Sequence, residues 1–590
     1  MKDPNPSRIE EAWHWMMQKA SRMNVPPLAV SLLIAFLLTA LAGLVAVRLS
    51  QGYYAVGPYH YDSATYRLSA YQFYHLFQSQ GLMTALTQAL QSKDALDITF
   101  RLLLAPRLLL HPYGHLSVLL PLMGLFILLV MDYAFTRTHS WICSVAIAGF
   151  LFSFPIIYNP LMIGIADYWK DNLATWLMGS AVLSFILSRN LAYYRASFLS
   201  GLLLGLLPPQ RSALAVYAAL LFMPLFLMAA YQRIRADGLK VACLRIAVFV
   251  TPALLVAGSV FLIQWQMLYK YYFVLGYGYS SPLRVVQFIL EGFGERIGFS
   301  VFLIVGICLL CLLHSAHWKH RANDIFVASW MVVGFPFWVI ITRGLYLGFY
   351  AVWTVLLIVL LAIFFSSFIE SVGRRRIFVF GLLVLAIGSS FLQYTLSVAR
   401  ARELAAYTAP SRRFHEDLTN VIMALPKPHE VSFLHDEARE PFLNHVLFNR
   451  HIPLTPQDGI AVVGFMSIHD SYYRAAFGDI SVQKIVDTMI NGLEQHPGRM
   501  VVACCEPSSV QRNPLFQSDG KNVAIPVAIS LSDHVMQSLR WKALKKLDSP
   551  YGCLYVYRYS AQPLTEVEKW LELSFSKTFD ELPLTLSVAP

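Results

Sequence analysis

Apolar stretches long enough to cross a bilayer recur through the first 400 residues. No other feature constrains the fold as tightly. In hydrocarbon every backbone N–H and C=O needs a partner within the protein, so such stretches cross as helices. A crossing takes about 20 predominantly apolar residues. Spans are expected near residues 26–47, 115–134, 141–159, 172–188, 194–207, 211–231, 246–267, 298–313, 324–341, 345–366 and 377–396. The expected fold class is therefore a polytopic α-helical membrane protein with about 11 transmembrane helices. Residues 98–111 are apolar but broken by Arg101, Pro106 and Arg107, and residues 8–23 are amphipathic. Both read as helices lying in the interface. The chain is 56% hydrophobic and 14% charged, too little charge for a soluble protein of 590 residues.

The net charge of +11 is explained by its distribution. With the N-terminus in the cytoplasm, the cytoplasmic pieces carry about 16 basic residues in roughly 72 positions, against about 11 in roughly 115 outside. No basic run is interleaved with a readout motif, which argues against nucleic acid as a partner. The chain divides into a cytoplasmic amphipathic segment (1–25), a transmembrane domain (26–396) and a soluble tail (397–590). An odd number of spans places that tail outside the cytoplasm. Its patterning is mixed α/β, with strands expected at 429–435, 460–465, 499–504 and 553–558 and helices at 411–424, 481–495 and 533–546. The expected setting is a multi-pass protein of a bacterial inner membrane.

The external loop 48–114 is crowded with tyrosines and phenylalanines, which settle at the headgroup level. Within it, Asp62 lies in Tyr59-His60-Tyr61-Asp62-Ser63-Ala64-Thr65-Tyr66, close to the membrane surface. It is either a solvated loop acid or the N-cap of the following helix, or the first candidate for a general base. The second external loop, 164–172, places Asp167 and Asp171 on either side of Tyr168-Trp169-Lys170. Asp167 is the second candidate acid. Asp171 is placed to cap the following helix, and with Lys170 it forms a secondary set on the acceptor side. Arg211, after Pro208-Pro209-Gln210, and Arg343, in Thr342-Arg343-Gly344-Leu345-Tyr346, are isolated external arginines at span mouths, and Lys270 sits in the external loop 268–297. Such groups either snorkel to anchor helix ends or bind phosphate.

The span cores carry almost no Asp, Glu, Lys or Arg, whereas ion-coupled transporters keep such residues at mid-membrane. This weighs against the alternative reading, a lipid or glycan transporter or flippase. There is no phosphate-binding Gly-Lys-Ser/Thr loop, His-Glu-x-x-His or nucleophile elbow. No metal ligand set is visible and no cofactor is required. A divalent metal is permitted by the acids but not indicated.

The layout resembles the GT-C superfamily of membrane glycosyltransferases, closest to the protein O-mannosyltransferase and lipid A aminoarabinose transferase branch. Asp62 matches the acid of the first external loop, and Asp167 the acid many members carry in the second. Arg211, following Gly201-Leu-Leu-Leu-Gly205, resembles the basic residue that opens the next span, and Arg343-Gly-Leu-Tyr346 the Arg-Tyr element near the lipid phosphate. Ser63 stands where protein mannosyltransferases carry Glu. The resemblance covers roughly residues 26–400. It implies a sugar donor on a polyprenyl phosphate and a lipid, glycan or protein acceptor. It further implies Asp62 as the base and Arg211 and Arg343 at the phosphate. The topology is directly testable. A single cysteine introduced at position 62 is expected to react with a membrane-impermeant maleimide added from the extracytoplasmic side, and one at position 375 only after permeabilisation.

Overall fold

The computed structural model describes residues 27–54, 73–74, 76–91, 116–151, 170–269, 282–292, 322–342, 349–371, 381, 384, 388, 395, 398–399, 431–434, 461–462, 482–495, 498, 500–504, 524–549, 552–571 and 573–577. Before the tail it contains α1 (Pro27–Tyr54), α2 (Leu82–Gln91), α3 (Leu116–Thr138), α4 (Trp141–Leu151), α5 (Lys170–Leu187) and α6 (Tyr194–Gly205). There follow α7 (Leu207–Gln210), α8 (Ser212–Asp237), α9 (Leu239–Tyr269), α10 (Pro282–Gly292), α11 (Ala322–Thr342) and α12 (Phe349–Ser371). Six of these helices (α1, α3, α8, α9, α11 and α12) are long and apolar enough to cross a membrane, and α4 and α5 are shorter apolar helices. The protein is a multi-pass membrane protein.

The spans expected at 115–134, 172–188, 194–207, 324–341 and 345–366 coincide with a helix to within a few residues, whereas the helices at 26–47 and 211–231 run on further at their C-terminal ends. The span expected at 246–267 begins earlier, at Leu239, because α8 and α9 both run on and turn abruptly at Gly238, whose φ of 76° suits a residue without Cβ. Expected span 298–313, the second half of 141–159 and the interfacial segments 8–23 and 98–111 lie outside the described residues. Within 377–396 the described positions Gly381, Val384, Gly388 and Thr395 are helical.

The bundle is built around α5 and α12. Every residue of α5 from Asp171 to Ile186 is buried, and 89% of the apolar window of α12 is buried. Their close approach depends on Gly179. A Cβ there would lie 2.2 Å from Val355 and 2.9 Å from the Phe126 ring. Helices in lipid gain little from the hydrophobic effect, so small residues that let backbones approach carry the packing. The same device joins α6 to α9: a Cβ on Gly201 would fall 2.0 Å from the Phe249 carbonyl oxygen, and one on Gly205 would fall 3.0 Å from the Ala253 backbone. Indole N–H groups bond across helices, Trp330 to the Leu221 carbonyl and Trp353 to that of Val332, each at 2.9 Å.

At one end of the bundle polar side chains tie several helices together. Asp324 of α11 accepts from Arg137 at 2.6 Å and from Tyr133 at 2.9 Å, both on α3. Asn190, between α5 and α6, donates to Gln232 of α8 and accepts from Asn323 of α11. Arg245 of α9 donates to the Ala192 carbonyl and pairs with Asp237. Arg189, Asn190 and Leu191 all have positive φ (47°, 56° and 65°), a conformation costing roughly 1–2 kcal/mol per residue. These contacts bring residues from four of the basic loops expected on the cytoplasmic side to one end of the bundle.

The tail contains α13 (Val482–Glu494), α14 (Ala524–Gln537) and α15 (Glu566–Trp570) with strands β1 (Val431–Leu434), β2 (Ala461–Val462), β3 (Met500–Cys504), β4 (Trp541–Ser549), β5 (Gly552–Tyr559) and β6 (Ser574–Lys577). The strands form one mixed sheet in the order β2-β1-β3-β5-β4-β6. β1 is parallel to β2 and β3, β5 is antiparallel to β3 and β4, and β6 is parallel to β4. The strands expected at 429–435, 460–465, 499–504 and 553–558 and the helix at 481–495 are present; the expected helix 411–424 lies outside the described residues. The helix expected at 533–546 is a correction. Helix α14 stops at Gln537 and β4 begins at Trp541. Leu544, Leu547 and the lysines around them mimic helical spacing, but the hairpin with β5 imposes period two, burying Trp541 and Ala543. Lys569 crosses from α15 to donate to the carbonyls of Met536 and Ser538, closing the C-terminal end of α14. Burial pushes its ammonium below the ordinary lysine range, partly opposed by Glu566.

Gly201→Val is expected to force α6 off α9 and destabilise the bundle by about 2 kcal/mol. Gly149→Ala, whose added carbon meets nothing within 4 Å, is the control. Thermal melting of the detergent-solubilised protein distinguishes them.

Candidate functional site

Helix α5 has 18 residues and is therefore about 27 Å long. The polar network occupies the end after Leu187, so Asp171, in its first turn, marks the opposite end. Arg211 marks the same end on α8. The chain reaches it through a break: Pro208 and Pro209 lack N–H groups and interrupt the α6 ladder. The short α7 then packs its four residues against the bundle, all buried. Arg211 follows as the N-cap of α8, in extended backbone at φ −155° and ψ 97°.

The two residues meet there. Arg211 Nε lies 3.0 Å from Asp171 Oδ1, with side-chain exposures of 13% and 3%. A carboxylate in the first turn of a helix is favoured by the helix dipole. Here it also supplies the counter-charge to an arginine largely removed from water. Asn172, Thr175 and Gln210 are buried on the same two chain segments, so the mouth of the bundle is polar for more than one residue on each side.

Of the residues singled out in the sequence, the structure thus brings together Asp171 and Arg211. Asp171 was expected as a cap or acceptor-side group; it lies inside the helix as the partner of Arg211. Lys170 opens α5. Asp62, Asp167, Lys270, Arg343 and Tyr346 lie outside the described residues. Sequence reasoning missed Gln210 and Asn172, whose signal was only that each adjoins a charged residue at a span mouth. It also missed the amide chain Asn190–Gln232–Asn323, whose members are far apart in sequence. Among the described residues no group of three or more His, Cys, Asp or Glu is placed to hold a metal ion. In the tail, Glu494 contacts His534 at 3.1 Å and accepts from Trp541 at 3.3 Å, with Arg540 at 3.9 Å, a fastening between α13, α14 and β4.

No protein-family model matches the chain, and no curated protein matches it. A solved structure does: that of ArnT from Cupriavidus metallidurans bound to undecaprenyl phosphate. The match has a TM-score of 0.54 at 13% sequence identity and covers 90% of this chain and 98% of that one. The two chains share a fold. At the level of the fold this agrees with the resemblance drawn from the sequence.

Breaking a buried pair by removing one partner strands the other charge, at a cost of about 3–5 kcal/mol, whereas removing both costs far less. Arg211→Met is accordingly expected to lower the melting temperature more than Asp171→Leu combined with Arg211→Met, measured in the same detergent.

Proposed function

We propose that the protein is a GT-C-type glycosyltransferase that moves a sugar from a polyprenyl phosphate to an acceptor on the extracytoplasmic side of a bacterial inner membrane. One observation carries the reading: nine-tenths of the chain follows the fold of a protein whose structure holds undecaprenyl phosphate. The buried arginine at a span mouth adds to it, since guanidinium groups in low dielectric bind phosphate strongly.

In this reading the prenyl tail lies in lipid beside the bundle and its phosphate faces Arg211 and Arg343, with Lys270 nearby. Asp62 takes the proton of the acceptor hydroxyl, whose oxygen attacks C1 of the sugar from the face opposite the phosphate. The C1–O bond to phosphate breaks, its electron pair stays on the phosphate oxygen, and the anomeric centre inverts. The arginines stabilise the charge that develops on the leaving phosphate. Asp167 orients the donor sugar or assists the base, while Asp171, Lys170 and Tyr346 belong to the secondary set. The N-terminus is cytoplasmic and the tail extracytoplasmic. The nucleotide was spent in making the lipid donor, so the protein needs no nucleotide site.

Loss of a general base typically costs a factor of about 10²–10⁴. The Asp62→Asn protein, purified and supplied with a lipid-linked sugar, is expected to lose at least about 100-fold in kcat while still binding the lipid. Transfer at a near wild-type rate would remove Asp62 from the chemistry.

A further inference from the structure

The Asp171–Arg211 pair sits where ordinary anchoring does not require it. Charged side chains at the ends of membrane helices usually snorkel to water, yet these two are 97% and 87% out of solvent. Nor is fastening a sufficient reason. Desolvation offsets most of the attraction in a buried pair, and the opposite end of the bundle is already tied by Asp324–Arg137, Arg245–Ala192 and the amide chain through Asn190. An ionisable pair inside a membrane bundle points instead to a ligand path.

Charge balance says what the carboxylate does there. A phosphodiester donor carries one negative charge. The phosphate monoester that remains after transfer carries up to two, because its second pKa is near 6. An uncompensated arginine at the N-terminal end of α8, where backbone N–H groups add positive potential, would hold the spent carrier more tightly than the donor. Asp171 stands 3.0 Å from that arginine and opposes the second charge.

We propose that Asp171 is a positioning residue that fixes Arg211 and, as its resident counter-charge, lowers the affinity of the site for the polyprenyl monophosphate product so that the spent carrier leaves. This rests on the proposed function, in which Arg211 faces the carrier phosphate. In this role Asp171 acts through Arg211. Its effect appears in product release and in the ratio of product to donor affinity.

The test uses the full-length protein in lipid nanodiscs, titrated with undecaprenyl phosphate, with undecaprenol and inorganic phosphate as separate arms. Asp171→Asn is expected to bind undecaprenyl phosphate roughly tenfold more tightly than wild type and to show correspondingly stronger product inhibition. Its binding of undecaprenol is expected to be unchanged. A purely structural role predicts weaker binding or none of this asymmetry. Arg211→Gln should bind undecaprenyl phosphate more weakly than wild type, and the Asp171→Asn/Arg211→Gln double variant should recover part of that loss. The comparison of these two variants carries the test if Asp171→Asn alone does not fold. Wild-type binding with unchanged or weaker binding by Asp171→Asn overturns the counter-charge role while leaving the donor intact. So does a double variant no better than Arg211→Gln. If undecaprenyl phosphate binds no better than undecaprenol to any form, the proposed donor falls and this inference with it.

Discussion

The membrane domain depends on the near-contact of α5 and α12 at Gly179. No side chain larger than hydrogen fits between that backbone and Val355 and Phe126. Because that approach is closed to lipid, α5 can carry Asn172, Thr175, Ser180 and Ser184 in its buried length. It can also hold a carboxylate at one mouth without exposing either to hydrocarbon. The aromatic contact of Phe126 with Trp176, edge to face at 5.4 Å, fills the space one turn away. A wider interface would leave α5 an amphipathic helix in lipid, which polar groups at those positions could not tolerate.

Around that centre the bundle has two ends of different character. One is knitted by neutral amides, by Asp324 and by arginines bonded to carbonyls and carboxylates, with most polar groups matched to partners on other helices. The other holds the Asp171–Arg211 ion pair in a polar mouth. In the proposed transferase this division would set the scaffold far from the place where charge develops.

Much of this was legible in the sequence, for reasons that differ by element. Spans such as α3, α11 and α12 are unbroken apolar runs bounded by charge, and hydropathy alone locates them. The ends were harder to read. Arg233, Arg235 and Lys240 fall between two expected spans, yet they belong to helices α8 and α9, which turn only at Gly238. In the tail, β5 was evident because Tyr555, Val556 and Tyr557 favour strand, whereas β4 was mistaken for helix because its lysines and leucines fit a helix until β5 pairs with them. At the candidate site both members of the ion pair were singled out, but as separate groups. Forty residues separate Asp171 from Arg211, and nothing in local pattern announces that Pro208 and Pro209 fold the chain back onto α5. The amide chain through Asn190 was invisible for the same reason.

The tight turn between α5 and α6 has a consequence for how the bundle is assembled. The positive-φ run Arg189, Asn190 and Leu191 is held by the bonds of Asn190 to Gln232 and Asn323, by Ser188 and by the buried Leu191 side chain. The turn therefore sets the rotational phase of the helix that follows. One residue added or removed between Ser188 and Tyr193 would swing α6 through about 100°, carrying Gly201 and Gly205 away from Phe249 and Ala253. The grammar of that short reversal, rather than any contact within α6, decides which face of the helix meets its neighbour.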